Sequence, residues 1–350
     1  MEKLTIAGRV VGPGEPPWVI AEIGANHNGD MALCRRLIDA AQEAGADAVK
    51  FQSWSRESLV SRAEYARNTR YAKLDPGALG LEQEIQRYQL TPEQHREVAA
   101  YCRQRGITFF SSCFSAREVE LLASLEVPVY KVASMDVNHL PLLDVVAATG
   151  KPVVLSTGMA TLGEIERALE RLRRGGAGGV ALLHCVSVYP CPPAEVRLRN
   201  IPMLEQTFGV PVGFSDHTLG VALALAAVTL GAAILEKHFT VDKALEGWDH
   251  AMSTDPAEFS AIVRGARAVH EALGSSERVL GPAELANRKI FRRRAVARHP
   301  LKRGTQLAAG DLEFKRPGTG IAPDEVAFAV GRVLARDVAA EEELEWSDLG

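Results

Sequence analysis

The chain has 350 residues, of which 47% are hydrophobic and 24% charged, and its 40 basic and 44 acidic side chains give a formal net charge of −4. This composition is typical of a soluble globular protein and argues against a general nucleic-acid or membrane-surface binder. No apolar run reaches the roughly 18 residues of a membrane span, and the N-terminus shows no secretory signal. The five scattered cysteines are typical of reduced, structural thiols, so we expect a cytoplasmic protein.

The predicted elements begin with a short hairpin over residues 4–14, which could close the bottom of a barrel. From Trp18 to about Leu273, short β-rich runs then alternate with longer amphipathic segments. The β-rich runs cover residues 18–24, 47–54, 108–114, 129–134, 152–158, 180–186, 211–218 and 232–240. Strands that alternate with helices pair in parallel, and eight such units over about 250 residues favour a (β/α)₈ TIM barrel.

The sequence changes character after the helical segment that ends near residue 274. Residues 275–290 are polar and are interpreted as a linker, and residues 291–350 contain short alternating runs with frequent turns. We therefore expect a barrel domain over 1–274 and a small β-rich domain over 291–350. A domain of that size is marginal alone, so it should depend on the barrel or on a partner chain.

Polar side chains gather at the carboxyl ends of the predicted strands, where TIM-barrel active sites lie. The strand ends supply Glu22, Lys50, Gln52, Ser112, Lys131, Ser134, Ser156, Ser187, Tyr189, Ser215, His217, Glu236 and His238. Strand side chains alternate between two faces, so Glu236 and His238 share the inner face and Lys237 points outward. The same alternation separates Ser215 and His217 from Asp216.

Two chemical groupings stand out in this set. His217 and His238 end adjacent strands and could ligate one divalent metal; hydrogen bonds to Asp216, Glu236 or backbone explain the two histidines equally well. Lys50 and Lys131 should face one another among serine hydroxyls, an arrangement suited to phosphate or carboxylate. The alternative is that one lysine pairs with Glu22 or Glu236 and fills the barrel.

A run of motifs in order resembles the N-acetylneuraminate (sialic acid) synthase family. These motifs are VIAEIGANHNGD, ADAVKFQ, YKVAS, VLSTGMA, LLHCVSVYP, GFSDHT, EKHFT and DHAMS. The tail with KRPGTG resembles the family's C-terminal SAF domain, which has a β-clip fold similar to type III antifreeze protein. The resemblance extends from about Val19 to the C-terminus.

The resemblance implies a transferase that condenses phosphoenolpyruvate with N-acetylmannosamine or a related N-acyl amino sugar, giving a nine-carbon 2-keto acid and phosphate. His217 and His238 would bind the metal, with Mn²⁺ favoured and Mg²⁺ or Co²⁺ as alternatives. Glu22 and Asp249 would hold or protonate sugar oxygens. The residues implied for phosphoenolpyruvate are Lys50, Lys131, Ser134, Ser156, Tyr189 and Ser215, with Gln52 nearby.

Arg316 takes its implied role from the family alone. The resemblance implies that this arginine comes from the SAF domain of the other subunit and contacts the N-acyl group, in a domain-swapped homodimer. The chain departs from the common pattern at Ser112, Ser187 and Thr319, at or near the substrate pocket. A 2,4-diacetamido hexose, as used by legionaminic and pseudaminic acid synthases, or the substrate of a spore-coat polysaccharide paralogue therefore remains an alternative.

Two other interpretations of the residues fit the sequence less well. A metal-dependent aldolase would need the histidines but no phosphate cradle, and Lys50 and Lys131 argue against it. A non-catalytic carbohydrate or ice binder would use the SAF-like tail, which is too charged for that purpose.

Overall fold

The computed structural model describes residues 2–67, 80–316 and 318–350. The chain divides into two compact units, Met1–Gly274 and Ser275–Gly350. Within the described residues, no helix is long and apolar enough to cross a membrane.

The first unit is a closed barrel of parallel strands preceded by a two-stranded antiparallel hairpin. The hairpin consists of β1 (Leu4–Ile6) and β2 (Arg9–Val11). The barrel strands are β3 (Trp18–Gly24), β4 (Ala48–Ser53), β5 (Thr108–Cys113), β6 (Tyr130–Val132), β7 (Val153–Ser156), β8 (Val180–Cys185), β9 (Val212–Asp216) and β10 (Ile234–His238). They follow one another around the ring in chain order, and β10 closes it against β3. The predicted TIM barrel is confirmed, and each strand lies inside its predicted run.

Helices surround the barrel between successive strands. They are α1 (Met31–Glu43), α2 (Arg56–Leu59), α3 (Arg62–Arg67), α4 (Leu81–Tyr88), α5 (Pro92–Arg105), α6 (Ala116–Ser124), α7 (Leu140–Ala147), α8 (Leu162–Arg174), α9 (Pro193–Val196), α10 (Asn200–Phe208), α11 (Ala222–Thr229) and α12 (Pro256–Leu273). The start of α5 follows its sequence signals: the Thr91 hydroxyl accepts a hydrogen bond from the Gln94 amide, and Pro92 is the first helical residue.

Two apolar layers hold this unit together. The outer faces of the strands pack against the helices, and a second cluster fills the interior of the barrel. In that interior cluster, Trp18 stacks on Phe110 with ring centroids 5.4 Å apart. Leu4, Ile6 and Val11 of the hairpin belong to the same cluster. The hairpin therefore seals the amino-terminal end of the barrel, and the polar strand ends remain at the opposite end.

The second unit is small and built around short antiparallel pairings. It contains α13 (Pro282–Phe291), β11 (Arg294–Ala297), β12 (Leu312–Lys315) and α14 (Val326–Ala329), with β11 antiparallel to β12. Its own core is formed by small and branched side chains such as Ala295, Leu307 and Leu344. Helix α13 lies largely in the segment that the sequence indicated as a linker.

Candidate active site

A cavity of about 420 Å³ lies at the carboxyl ends of the barrel strands. Its walls contain every predicted site residue of the barrel. These are Glu22, Lys50, Gln52, Ser112, Lys131, Ser134, Ser156, Ser187, Tyr189, Ser215, His217, Glu236, His238 and Asp249. The fold therefore brings together side chains that are up to 227 positions apart in the chain.

One wall of the cavity is a buried carboxylate–lysine–amide group. Glu22, near the carboxyl end of β3, is the register partner of Lys50, and the Lys50 Nζ lies 2.7 Å from a Glu22 carboxylate oxygen. The other Glu22 oxygen accepts a hydrogen bond of 2.7 Å from Gln52 Nε2. Lys50 Nζ also reaches Ser112 Oγ at 3.3 Å. The alternative in which a lysine pairs with Glu22 is therefore realised at Lys50.

The second lysine lies beside the first, with one strand between them. Lys131, on β6, donates a 2.6 Å hydrogen bond to Ser156 Oγ. The carboxylate of Glu236 lies 3.7 Å from Lys131 Nζ and 3.8 Å from Lys50 Nζ, and it accepts a 2.9 Å hydrogen bond from Ser215 Oγ. Because only β5 separates the two lysine strands, the expectation that the lysines face one another across the barrel is wrong. Both ammonium groups lie next to one carboxylate.

His217 and His238 also line the cavity, with ring centroids 5.5 Å apart. His217 Nδ1 donates a 2.8 Å hydrogen bond to the Val186 carbonyl oxygen. A carbonyl oxygen can only accept, so in the neutral ring Nε2 carries the lone pair, and Ser215 Oγ lies 3.5 Å from it. His238 Nδ1 lies 3.6 Å from an Asp249 carboxylate oxygen and makes no hydrogen bond within the described part of the chain.

The pKa values of Glu22 and Glu236 shift in opposite directions although both carboxyl groups line the same cavity. Burial raises the pKa of Glu22, and the Lys50 ammonium offsets this only in part. Burial also disfavours the charged form of Glu236, but Lys131 and Lys50 together hold the pKa of Glu236 well below its usual range. Glu22 is therefore the carboxyl group that can carry a proton, and Glu236 stays ionised.

The histidines differ as well. Burial lowers the pKa of His238 to about 4, so this ring is neutral at physiological pH. For His217, burial opposes the charged form, but contact with the Cys185 thiol raises the pKa of the ring. Cys185 Sγ lies 3.9 Å from His217 Nδ1. A metal that bound His217 would displace that proton, as metals do at imidazole ligands.

Tyr189, Ser134 and Ser187 also line the cavity, whereas Arg316 does not. The ring of Tyr189 lies 4.1 Å from the ring of His217, centroid to centroid. Ser134 Oγ accepts a 3.0 Å hydrogen bond from the Gly158 amide. Ser187 Oγ is buried and has no hydrogen-bond partner among the described residues, which leaves it free to bind a ligand. Arg316 belongs to the second unit, is exposed, and stacks over the Phe291 ring at 5.5 Å.

Sequence reasoning missed several residues of the cavity wall: Phe114, Ala133, Met135, Met159 and Cys185. Cys185 had a usable signal, because it continues the inward-facing series of β8 through Ala181 and Leu183. Met135 lies in a short 3₁₀ helix (Ser134–Asp136) and Met159 in a turn, both beyond the strand ends, where the strand alternation predicts nothing.

A closed (β/α)₈ barrel whose carboxyl-terminal cavity gathers ammonium, hydroxyl, carboxylate and imidazole groups defines a TIM-barrel protein with an enzyme-like active site. The model of the NeuB family matches residues 37–278, and that of the SAF domain matches residues 292–350. The chain belongs to the NeuB family and carries a C-terminal SAF domain.

Individual relatives match along nearly their whole length. An uncharacterised protein of Methanocaldococcus jannaschii is 40% identical, with 100% of this chain and 99% of that protein covered. N,N'-diacetyllegionaminic acid synthase of Campylobacter jejuni is 37% identical over 93% of this chain and 97% of its own length. The crystal structure of N-acetylneuraminic acid (sialic acid) synthetase from Leptospira borgpetersenii in complex with citrate superposes with a TM-score of 0.74 at 30% identity, covering 82% and 95% of the two chains.

Proposed function

We propose that this chain is a transferase that condenses phosphoenolpyruvate with the open aldehyde form of an N-acyl amino sugar, N-acetylmannosamine in the first place. The products would be a nine-carbon 2-keto sugar acid and phosphate. One observation carries the proposal: a single cavity holds a lysine–serine cluster for an anion directly beside a pair of histidines. The sialic and legionaminic acid synthases among the relatives support it.

The lysine–serine side of the cavity suits phosphoenolpyruvate. Lys50 and Lys131 present two ammonium groups to one small space, and Ser112 and Ser156 already hydrogen-bond to them. When Glu22 is protonated, Lys50 and Lys131 outnumber Glu236, the carboxylate that lies next to both of them, so an incoming phosphate and carboxylate meet net positive charge on this side of the cavity. Burial strengthens this attraction, because little water remains to screen it.

The histidine side suits a divalent cation. His238 is neutral and His217 directs a lone pair from Nε2, as metal-bound imidazoles do when the other nitrogen is held by a carbonyl oxygen. No group of three or more His, Cys, Asp or Glu side chains in the described ranges could enclose a metal, so most ligands would come from substrate and water. His217 and His238 would hold the cation, which would supply Lewis-acid polarisation of the sugar aldehyde.

The residues then divide the steps between them. A bond forms between C3 of phosphoenolpyruvate and the aldehyde carbon, and Glu22 can supply the proton that the aldehyde oxygen takes up. The ionised Glu236 offsets positive charge that develops at C2. Water adds to C2 and loses one proton, which can restore the protonated form of Glu22. The C2–O bond then breaks, and phosphate leaves with the bonding electrons. Loss of the hydroxyl proton at C2 completes the ketone.

A 2,4-diacetamido hexose is the second candidate for the sugar. The observation that favours it is the 37% identity with the Campylobacter legionaminic acid synthase. Ser187, where the chain departs from the family's common pattern, has a buried hydroxyl without a hydrogen-bond partner among the described residues, so it could bind an additional polar group of the sugar. The condensation chemistry would be unchanged.

We also propose that Arg316 binds the N-acyl group of the sugar in the active site of a partner subunit, in a homodimer. The likeness of the tail to the family's SAF domain supports this, as does the exposed position of the guanidinium. In this arrangement the barrel would supply the chemistry and the SAF domain would supply part of the sugar specificity.

Phosphate release from phosphoenolpyruvate tests the function directly. We expect release that requires both N-acetylmannosamine and Mn²⁺, stops with EDTA, and resumes when metal is restored. His217→Ala and His238→Ala should lose turnover while their circular dichroism matches the wild type. No release with N-acetylmannosamine or with any 2,4-diacetamido hexose would disprove the synthase, and full activity of either histidine variant in metal-free buffer would disprove the metal site.

A further inference from the structure

The outer faces of β9 and β10 carry a buried ion pair that the proposed chemistry does not use. Lys237 lies opposite Asp216 in the strand register, and Lys237 Nζ is 2.7 Å from Asp216 Oδ2. Their neighbours Glu236 and Ser215 pair in the same way on the inner face. The side chains of Lys237 and Asp216 are 3% and 1% exposed, so both charges are removed from water.

Both members of this ion pair also form hydrogen bonds with Thr218, the residue that follows His217. Asp216 Oδ1 accepts hydrogen bonds from the Thr218 amide and the Thr218 hydroxyl, each 2.8 Å long. Lys237 Nζ donates a 2.6 Å hydrogen bond to the Thr218 carbonyl oxygen. His217 is therefore held between two residues that are bonded to each other, and the ammonium group that completes the network precedes His238 in the chain.

The energetics indicate a geometric role. Burying an ion pair costs desolvation energy, and a well-packed apolar pair of similar size is often at least as stable. A fully hydrogen-bonded network does, however, admit only one arrangement of the strands that carry it. We propose that Asp216 and Lys237 are positioning residues that set the separation and orientation of His217 and His238 for metal binding. This inference rests on the proposed metal site.

The test uses the full-length protein and Co²⁺ as the probe. The double variant Asp216→Asn/Lys237→Met removes both charges together and leaves no unpaired buried ion. We expect it to fold with the circular dichroism of the wild type, to bind Co²⁺ roughly 10- to 100-fold more weakly, and to shift the visible absorption band of bound Co²⁺. The control Asp144→Asn/Arg171→Met removes an exposed ion pair between α7 and α8 and should leave both readouts unchanged.

The outcomes separate this inference from the metal site itself. If wild-type protein shows no Co²⁺ band that His217→Ala or His238→Ala removes, the metal site is wrong and the inference falls with it. If the wild type binds Co²⁺ and the double variant binds it with the same affinity and spectrum, the ion pair serves only stability and the positioning role is refuted.

A milder variant covers the case in which the double variant does not fold. Thr218→Val keeps both charges and deletes only the hydroxyl that bonds to Asp216. It should weaken Co²⁺ binding several-fold and move the absorption band, with Thr218→Ser restoring both. Unchanged binding by a folded Thr218→Val protein would overturn the proposal.

Discussion

Glu22 and Glu236 show how two identical functional groups acquire different roles in one cavity. Both are buried, which favours the neutral form of each. Glu236 lies between two ammonium groups and remains ionised, whereas burial dominates at Glu22 and raises its pKa. A pair of carboxyls separated in this way provides one proton carrier and one fixed negative charge at the same pH.

Lys131 is the residue whose removal should distinguish anion binding from mere filling of the barrel. In Lys131→Met the stem is kept and the ammonium is lost. Hydrogen bonds to charged groups contribute about 1.5–3 kcal/mol, so we expect kcat/KM for phosphoenolpyruvate to fall roughly 10- to 150-fold. Steady-state kinetics of phosphate release measures this.

Lys151→Met provides the matched control, because Lys151 is exposed and lies outside the cavity. It should leave the kinetics unaltered. A Lys131→Met enzyme with wild-type kcat/KM would show that this lysine fills space and binds no substrate.

At the level of single residues, the sequence predicted many of the side chains that line the cavity, missed others such as Met135 and Cys185, and did not show how the charged groups pair. Period-2 alternation follows from strand geometry, so it placed Glu22, Lys50 and Glu236 correctly. Whether Lys50 bonds to Glu22 or stays free depends on distances across strands, which a sequence does not contain. The structure shows that pairing at 2.7 Å.

At the level of elements, the hairpin β1–β2 explains how the barrel can be polar at one end and stable at the other. Ile6 is fully buried in the cluster that also contains Trp18 and Phe110. Packing of this apolar interior stabilises the strands at their amino-terminal ends, so their carboxyl ends can carry buried charges. The hairpin thus stabilises the barrel that carries the site, although none of its residues lines the cavity.

Ile6→Ala tests this role of the hairpin. Removing a buried isoleucine side chain should lower the free energy of unfolding by about 2–5 kcal/mol, from lost burial and the cavity left behind. Thr5→Ala on the same strand is the control, because Thr5 is exposed and should change stability by less than about 0.5 kcal/mol. Urea unfolding followed by circular dichroism compares the two variants. Equal unfolding midpoints would contradict the proposed role of the hairpin in stabilising the barrel.

The sequence predicted the strands of the barrel correctly, but the polar composition of residues 275–290 led to a wrong interpretation of helix α13. All barrel strands were found because their apolar runs are bounded by clear turns. Helix α13 was interpreted as a linker because residues 275–290 are polar, yet the chain carries Pro282 at the first helical position and Glu284 in the first turn. Its apolar residues Leu285, Ile290 and Phe291 are all exposed within the described chain, so no buried face marked it as a helix.

At the scale of the whole molecule, the proposed function requires residues from both units. The cavity is built entirely from Met1–Gly274, whereas Arg316 lies in Ser275–Gly350. An exposed guanidinium held over an aromatic ring is pre-organised to bind a polar group such as an amide oxygen. If subunits exchange this arginine, each active site of a dimer requires two chains.

Mixing two inactive proteins tests that exchange. His238→Ala disables the barrel site and keeps Arg316, and Arg316→Ala does the reverse, so each homodimer should be inactive or strongly impaired. A mixed dimer with exchange has one site that combines an intact barrel with an intact arginine. Random reassortment makes about half of the dimers mixed, so we expect roughly a quarter of wild-type activity. If Arg316 serves its own chain, each mixed dimer contains no complete site, and mixing will restore nothing although an affinity tag carried by one variant co-purifies the other and so shows that subunits have exchanged.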